Sequence, residues 1–380
     1  MRRPSTAAVF CRVVDNYGDA GVALRLARQL ASEHALAVTL YVDDVATLLR
    51  IAPGVDPSVD RRHDGVRIVP PSAAASDAPA DLAIEAFGGG LPDAYLDAME
   101  RAAHTTAWLH LEYLSAEAWV DDAHGLPSPP PRRRLQRWFY FPGFTERSGG
   151  LLRERDLLAL RDAHVAGIES HAGVWRSSGV DALPADALTV SLFAYPGRAA
   201  EALLSEFVRG PAQTVCIVPE GVVAESVARV VGRPRGVPHV VRAGALTLVV
   251  APFVAQRDFD ARLWSCAFNF VRGEDSFVRA QWAARPFVWH IYRQAEDAHR
   301  AKLAAFLDRY LERAPEPAAR SIRSLSQAWN DDDAEATVIA WREARAALPH
   351  LAAHARSWSA GLATQSDLAT RLVAFVAERL

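Results

Sequence analysis

The chain has 380 residues, 50% of them apolar, and a formal net charge of -3 at pH 7. This length exceeds what one hydrophobic core usually serves, which favours two domains, and the apolar content excludes long disordered regions. Basic and acidic residues are mixed along the chain, which excludes a broad nucleic-acid surface, because such a surface needs a concentrated basic patch. The basic cluster Arg132–Arg134, with Arg137 after it, is interpreted as a solvated loop.

The cysteines and the N-terminal sequence indicate a reduced, cytoplasmic protein without a metal centre. Cys11, Cys216 and Cys266 are far apart in the sequence. The sequence contains neither a CxxC pair nor a cluster of His and Cys, so it does not predict zinc or redox chemistry. The apolar run near the N-terminus is interrupted at Arg12 and Asp15, so it is too short for a secretory signal or a membrane span. We therefore expect no cofactor, no membrane partner and no nucleic-acid partner.

Strand-like and helix-like segments alternate through the first part of the chain. Residues 7–14 form a mostly apolar run that is typical of a strand buried in a parallel sheet, and residues 21–30 carry apolar side chains at helical spacing. Further strands are predicted at 37–42, 66–69, 82–87 and 107–111, with helices near 45–49 and 92–103. This alternation predicts a doubly wound α/β sheet.

A segment rich in proline and glycine, residues 125–150, interrupts the alternation and predicts a long ordered loop. Its prolines are Pro127, Pro129, Pro130, Pro131 and Pro142. The alternation resumes after residue 179, with predicted strands at 188–194, 214–219, 246–251, 268–271 and 287–292. Helices are predicted between these strands, and the tail from residue 299 onward is helical in pattern.

Two successive α/β segments predict two Rossmann-like domains that face a central cleft. We place them at residues 1–185 and 186–362, and we expect a C-terminal helix within 363–380 to return to the first domain, because its apolar residues lie at amphipathic spacing. Ligands of such sheets bind outside the carboxyl ends of the strands. The segments that directly follow strands are therefore the candidate functional sites.

The first such segment, Asp15–Gly21, follows the first predicted strand and leads into the first helix. Gly18 and Gly21 allow the backbone to approach a ligand closely, and the pattern is not GxGxxG, so it does not indicate a dinucleotide. Asp15 and Asp19 are spaced so that both carboxylates can point towards a ligand. The alternative interpretation is that Asp19 caps the helix and Asp15 bonds to its own turn.

The second segment, Phe268–Phe277, passes from a strand through a tight turn into a helix. Asp275 or Ser276 suits the N-cap of that helix. The same place suits a diphosphate, because a helix N-terminus favours an anion and Arg272 can add a charge-assisted contact. Glu274 would repel a phosphate, so its presence is explained only if a positive group lies beside it. A plain helix start is the alternative.

Aromatic residues at predicted strand ends form a third group, comprising Phe193, Tyr195 and Phe253, with Gln256 close to the last. A nucleobase needs a stacking face and a polar partner at its edge, which Phe253 and Gln256 can supply. Core packing is the alternative role of these aromatic residues. His290, within a predicted strand, is interpreted as a core residue. Gly88–Gly90 lacks the following Lys and Ser/Thr of a P-loop and is interpreted as a turn.

The sequence resembles the EarP family of bacterial protein-arginine rhamnosyltransferases, which act on elongation factor P. The resemblance rests on two long segments, residues 10–22 (FCRVVDNYGDAGV) and 270–282 (FVRGEDSFVRAQW), and on shorter ones at 112–115, 125–129, 141–144 and 287–292. It runs in order over nearly the whole chain. It implies a GT-B glycosyltransferase fold and an inverting, metal-independent transfer from dTDP-β-L-rhamnose to one arginine of elongation factor P.

The resemblance also implies roles for individual residues. The catalytic positions are Asp15, Asp19 and Glu274, and the loop at Asn16, Tyr17 and Gly18 contacts donor or acceptor. The donor-binding positions are Phe193, Tyr195, Phe253, Gln256, Arg272, Asp275 and Ser276.

Arginine is a demanding acceptor, because its guanidinium stays protonated and is a poor nucleophile. An enzyme must hold the cation and remove a proton as the new bond forms, and two carboxylates in one turn suit that task. We assign Asp19 as the base and Asp15 as the orienting group, and Arg272 with the following helix N-terminus as the holder of the leaving diphosphate. Two alternatives stay open: a GT-B glycosyltransferase with another donor or a small-molecule acceptor, and a non-catalytic adaptor that docks on a translation factor.

Overall fold

A computed structural model describes residues 2–55, 62–129, 132 and 134–380. Pro130 and Pro131 of the predicted loop, and Arg133 of the basic cluster, lie outside the described residues. Within these ranges all three cysteines are buried and free, as expected. The described part of the chain contains no helix that is both long and apolar enough to cross a membrane.

Strands and helices alternate through most of the described chain. The strands are β1 (Thr6–Cys11), β2 (Ala37–Val42), β3 (Arg62–His63), β4 (Val66–Val69), β5 (Leu82–Ala86), β6 (Ala107–Leu111), β7 (Pro127–Ser128), β8 (Arg137–Tyr140), β9 (Leu188–Leu192), β10 (Thr214–Pro219), β11 (His239–Ala243), β12 (Leu246–Ala251), β13 (Phe268–Arg272) and β14 (Phe287–His290). The helices are α1 (Asn16–His34), α2 (Val45–Ile51), α3 (Asp93–Arg101), α4 (Trp119–Ala123), α5 (Leu157–Ala166), α6 (Ile168–Ser177), α7 (Arg198–Arg209), α8 (Ala224–Val231), α9 (Gln256–Ser265), α10 (Asp275–Ala283), α11 (Ala298–Leu311), α12 (Glu316–Asn330), α13 (Ala334–Ala346), α14 (Leu348–Ala363) and α15 (Leu368–Ala377). Short 3-10 turns lie at Pro71–Ala75 and Ala295–Asp297.

The chain divides into two compact units. The first contains the described residues of Met1–Arg155, Arg300–Phe306 and Leu362–Leu380, and the second contains Asp156–His299 and Leu307–Gly361. The division therefore falls after Arg155, earlier in the chain than the predicted residue 185. The reason is that α5 and α6 pack against α9, and Trp175 of α6 is buried in the core of the second unit.

The sheet of the first unit has the order β3-β4-β2-β1-β5-β6-β8-β7. Its neighbours from β4 to β8 are parallel, whereas β3 and β7 pair antiparallel at the two edges. The strand order reverses at β1, because β2 lies on one side of it and β5 on the other. The carboxyl ends of β1 and β5 thus form the switch point at which open α/β sheets bind ligands.

Aromatic side chains fill the core of the first unit, and the C-terminal helix covers one side of it. Phe10 and Tyr41 are stacked with ring centroids 4.4 Å apart, and both are buried. In α15, Leu372 and Val376 are buried, and the ring of Phe375 meets that of Tyr140 edge-on at 5.5 Å. The side-chain amide of Gln29 in α1 donates to the carboxylate that caps α15 at 3.0 Å. These contacts lie within the first unit.

The sheet of the second unit has the order β11-β12-β10-β9-β13-β14. All its neighbouring strands are parallel except β11, which pairs antiparallel with β12 at one edge. The order reverses at β9, which lies between β10 and β13, so the carboxyl ends of β9 and β13 form a second switch point. Two parallel-rich sheets of this kind confirm the predicted α/β fold class.

One predicted loop is wrong, because the segment 125–150 contains β7 and β8. The run Trp138–Tyr140 belongs to β8, which pairs parallel with β6. Arg137, predicted to lie in a solvated loop, begins this strand, and its guanidinium forms an ion pair with the buried Glu85 at 3.0 Å. The prolines before β8 predict a loop, but the aromatic residues that follow them favour the pleated geometry of a strand. Arg132 pairs with acidic side chains of α3, including Asp93 at 3.1 Å.

Candidate active site

The loop between β1 and α1 is closed by the carboxylate of Asp19. Its Oδ2 accepts hydrogen bonds from the backbone N–H groups of Val14 at 2.8 Å and Asp15 at 2.9 Å. The N–H of Gly18 donates to the carbonyl oxygen of Asp15 at 2.7 Å, which tightens the same turn. Asp15 stands at the N-cap of α1, but its side chain makes no capping hydrogen bond. Asp19 therefore bonds back to the loop before α1 and does not cap the helix, which differs from the alternative role that the sequence leaves open for it.

Only one oxygen of Asp19 serves the loop. Asp19 is 0% exposed, and its Oδ1 has no hydrogen-bond partner among the described residues. A buried acceptor without a donor costs free energy, so this oxygen is suited to accept from a cation that enters the site. Burial, and then the carboxylates of Asp19 and Asp43, raises the pKa of the Cys11 thiol far above its ordinary value. The end of β1 is thus a negative environment.

The remaining residues of this loop have separate positions. Asn16 begins α1, Gly18 is buried in its first turn, and the ring of Tyr17 lies 5.7 Å from the guanidinium carbon of Arg50. The backbone N–H of Val13 donates to Oδ1 of Asp43 at 2.9 Å. This hydrogen bond therefore connects the residues that follow β1 and β2.

A cavity of about 250 Å³ opens at the carboxyl ends of β1 and β2. The stacked rings of Phe10 and Tyr41 contribute to its lining, together with Arg12, Asp43 and the segment 89–92. The predicted turn at Gly88–Gly90 forms part of this wall. A Cβ at Gly89 would stand 2.8 Å from the Cβ of Arg12, so the turn approaches the end of β1 too closely for a larger residue.

In the second unit, the guanidinium of Arg272 lies against two aromatic rings. Its central carbon is 4.7 Å from the ring centroid of Phe193 and 4.6 Å from that of Tyr195. Arg272 ends β13, whereas the two aromatic residues directly follow β9, so the parallel pairing of β9 with β13 brings them together. Contacts of this geometry hold a cation against the aromatic faces.

The turn after Arg272 leads into α10 without a side-chain cap. Gly273 has a φ of 59°, in the left-handed region that favours glycine, and Glu274 occupies the N-cap position without a capping hydrogen bond. The predicted cap at Asp275 or Ser276 is therefore wrong. Ser276 instead bonds to the backbone of Arg272, accepting from its N–H at 2.9 Å and donating to its carbonyl oxygen. The helix N-terminus that follows β13 can favour an anion through its dipole.

The starts of α9 and α10 are joined by side chains. Nε2 of Gln256, the first residue of α9, donates to Oδ2 of Asp275, the first residue of α10, at 2.9 Å. The buried guanidinium of Arg279 forms two bonds with the Asp260 carboxylate, at 2.8 and 2.7 Å. Phe253 lies half-buried in the loop that enters α9. The described contacts thus bring Phe193, Tyr195, Arg272 and Ser276 together and join Gln256 to Asp275.

Two supporting residues give little signal in the sequence. Arg262 donates to the carbonyl oxygen of Pro252, next to Phe253, at 2.5 Å, and burial lowers the pKa of its guanidinium to about 10. His290, interpreted from the sequence as a core residue, accepts a hydrogen bond from the backbone N–H of Tyr195. His290 contacts a residue 95 positions away and Arg262 one 10 positions away, and no local motif marks either of them.

Known proteins are similar to this chain in sequence and fold over nearly their full length. The family model described as Elongation-Factor P (EF-P) rhamnosyltransferase EarP matches residues 7–377. The protein-arginine rhamnosyltransferase of Pseudomonas putida is 47% identical, over 98% of both chains, and that of Pseudomonas aeruginosa is 44% identical, over 98% of this chain and 99% of its own.

A solved structure described as the structural basis for EarP-mediated arginine glycosylation of translation elongation factor EF-P also matches. It has a TM-score of 0.69 and 37% sequence identity, and 99% of each chain is covered. The family match spans the segments that contain both the Asp15–Asp19 loop and the Arg272–Ser276 turn. The chain belongs to the EarP family.

Proposed function

We propose that this protein transfers rhamnose from dTDP-β-L-rhamnose to an arginine side chain of elongation factor P in the cytoplasm, with inversion and without a metal ion. Membership of the EarP family supports the activity and the acceptor. The observation that carries the proposal to individual residues is the buried Oδ1 of Asp19, which has no hydrogen-bond partner among the described residues and lies beside the switch point of the first sheet. A guanidinium is the side chain that best matches it.

The first unit binds and deprotonates the acceptor in this proposal. Oδ2 of Asp19 is fixed by two backbone N–H groups, which leaves Oδ1 to accept an N–H of the acceptor guanidinium. Asp15 orients the cation. As the guanidinium nitrogen attacks the sugar, one of its protons passes to Asp19, which restores the nucleophilic lone pair.

The second unit binds the donor and stabilises the leaving group. Phe253 stacks on the thymine with Gln256 at its edge, and Phe193 and Tyr195 contribute aromatic contacts. Arg272, Asp275 and Ser276 place a guanidinium and a helix N-terminus at the diphosphate, which supplies the charge stabilisation that other glycosyltransferases take from a metal. Glu274 steadies the positive sugar or the acceptor.

The bond changes follow from these roles. The bond from the anomeric carbon to the diphosphate oxygen breaks as the bond to the arginine nitrogen forms on the opposite face, through an oxocarbenium-like state. The diphosphate leaves with the electron pair. Attack from the opposite face inverts the anomeric centre, so a β-linked donor gives an α-linked arginine product.

The test is to incubate the purified protein with elongation factor P and dTDP-β-L-rhamnose and to measure the intact mass of the acceptor. We expect a gain of one deoxyhexosyl residue, located on one arginine, undiminished by a chelator and α-configured by NMR. Matched reactions contain UDP-glucose as the donor, or an acceptor with that arginine changed to lysine. Transfer from UDP-glucose alone would indicate another donor. Binding of elongation factor P without any transfer would indicate an adaptor.

A further inference from the structure

His290 contacts Tyr195, one of the two aromatic residues that lie against Arg272. It ends β14 and is buried, and its Nδ1 accepts a hydrogen bond from the backbone N–H of Tyr195 at 3.3 Å. The two rings meet edge-on, with centroids 5.0 Å apart and an interplanar angle of 81°. One side chain therefore contacts both the backbone and the ring of Tyr195.

The imidazole is held neutral with a single tautomer. Burial, followed by the positive charges of Arg293 and Arg272, lowers the pKa of His290 to about 3. A neutral imidazole carries one hydrogen. Because Nδ1 accepts the Tyr195 N–H, that hydrogen resides on Nε2.

His290 is itself fixed from both sides. It pairs with Arg272 in the β13–β14 register, and its carbonyl oxygen accepts from the N–H of Gly273 at 3.2 Å. Asn330 binds the backbone on either side of it, accepting from Ile291 N–H at 3.0 Å and donating to the Trp289 carbonyl at 2.8 Å. The backbone that carries the imidazole is thus held in place at the end of the strand.

Tyr195, in contrast, lies beyond the end of its strand. β9 ends at Leu192, and Phe193 N–H still donates to the Phe270 carbonyl at 3.0 Å, but Tyr195 is followed at once by Pro196. The bond to His290 therefore replaces the sheet hydrogen bonds that hold earlier residues. The ring of Tyr195, which lies against the Arg272 guanidinium, meets the His290 ring on one side and also meets the ring of Tyr292 edge-on at 5.9 Å.

We propose that His290 is a positioning residue of the donor site, which holds Tyr195 so that its ring supports Arg272 where the diphosphate binds. The inference rests on the proposed function, because it assumes that Arg272 contacts the donor. His290 acts through Tyr195, and its Nδ1 is the atom that matters.

Two amide substitutions separate the two nitrogens. His290→Asn places an amide oxygen near the position of Nδ1 and can still accept from Tyr195, whereas His290→Gln places its amide near Nε2 and cannot. His290→Phe keeps the ring edge and removes both nitrogens. His354→Asn, at another buried histidine of the second unit, which bonds to the Tyr310 carbonyl, is the control for a general packing loss.

The measurements are the dissociation constant of thymidine diphosphate by calorimetry and the KM values for donor and acceptor. We expect His290→Asn to stay within about 3-fold of wild type. His290→Gln and His290→Phe should weaken nucleotide binding and raise the donor KM by about 3- to 10-fold, the value of one hydrogen bond. The KM for elongation factor P should be unchanged in all three, and His354→Asn should match wild type in both KM values.

Other outcomes would overturn the inference. Wild-type binding in His290→Gln with a loss in His290→Asn would mean that Nε2 contacts the donor directly. Wild-type values in all three variants would remove His290 from the donor site. An equal loss in Asn and Gln variants, in step with a lower melting temperature, would leave it a core residue. A wild-type protein that binds no thymidine diphosphate would instead refute the proposed function, and that result is read before any variant is made.

Discussion

The two units place different charged groups at similar points of similar architecture. In each, the site residues follow strands at a reversal of strand order in a parallel sheet. In the first unit these residues are Asp15 and Asp19, and the pKa of the neighbouring Cys11 thiol is raised. In the second unit Arg272 lies against two aromatic rings. The fold thus provides the place, and the side chains decide whether a cation or an anion binds there.

The sites also differ in how they are held. Asp19 bonds to the backbone of Val14 and Asp15, so the acidic loop is organised by residues close in sequence. Arg272 depends on residues that follow β9 and on a turn supported by β14. A local loop keeps its shape after one substitution more easily than a set of contacts spread over three strands. Substitutions should therefore affect chemistry in the first unit and affinity in the second.

The largest effect is expected in the acidic loop. Asp19→Asn and Asp15→Asn keep the size of the side chain and remove the charge that holds or deprotonates a guanidinium. We expect turnover to fall by about 10²- to 10⁴-fold, with the greater loss at Asp19, because this is the range of general-base contributions. The measurement is the rate of rhamnose transfer to elongation factor P at saturating donor.

Melting temperature and nucleotide binding are the controls for these two variants. Both should stay close to wild type, since Asn keeps an oxygen that can accept the N–H bonds of the loop. Near-normal turnover in both variants would show that the carboxylates serve only the loop. A nucleotide affinity that falls together with turnover would contradict the separation of the two sites.

A smaller effect is expected in the second unit. Arg272→Ala should weaken thymidine diphosphate binding by about 10- to 100-fold, because it removes a charged partner of the phosphates. Phe253→Ala should cost about 3- to 10-fold through lost stacking. Calorimetry measures both. Arg229→Ala, at an exposed arginine of the same unit that pairs with Glu201, is the matched control and should bind normally.

Residues close in sequence were the ones that could be predicted. The structure contains the predicted passage from β1 through a loop into α1 and from β13 through a turn into α10, and both are indicated by glycines between an apolar strand and a helix start. The α/β class follows from the same alternation. None of these inferences requires knowledge of how distant segments pair.

Most of the wrong predictions concern segments whose structure depends on contacts with residues distant in sequence. β8 was missed because prolines before it indicate a loop, although pairing with β6 stabilises the strand. The predicted boundary at residue 185 ignored Trp175, whose burial joins α6 to the second unit. The cap of α10 is the exception, because Ser276 bonds to the backbone of Arg272, only 4 residues earlier, and does not cap the helix. His290 is buried, as predicted for a core residue, but its bond to Tyr195 joins segments that are distant in sequence and could not be predicted.

The comparison extends to a half-buried histidine of the first unit, His124, which belongs to neither candidate site. Its Nδ1 accepts from the Phe141 N–H at 3.1 Å, and its ring meets that of Tyr140 edge-on at 4.6 Å. Burial lowers its pKa to about 4; the Phe141 bond opposes the shift, and the charges of Arg371 and Arg379 add to it. Asp121 acts weakly in the opposite direction.

The smallest expected effect is therefore on stability alone. Because the pKa of His124 is lower in the folded protein than the ordinary histidine value of 6.5, the unfolded chain takes up the proton first as the solution is acidified. Its contribution to the free energy of unfolding is complete above about pH 6.5 and is lost between pH 6.5 and about 4.

His124→Asn keeps an acceptor for the backbone and cannot titrate. Over that pH range the free energy of unfolding of this variant should therefore fall by about 1–2 kcal/mol less than that of the wild type, after allowance for partial exposure. Denaturant unfolding at several pH values measures the difference, and thymidine diphosphate binding at pH 7 should be the same in both proteins. Parallel pH profiles would mean that His124 titrates normally, and a change in nucleotide binding would show that the first unit influences the donor site as well as the acceptor.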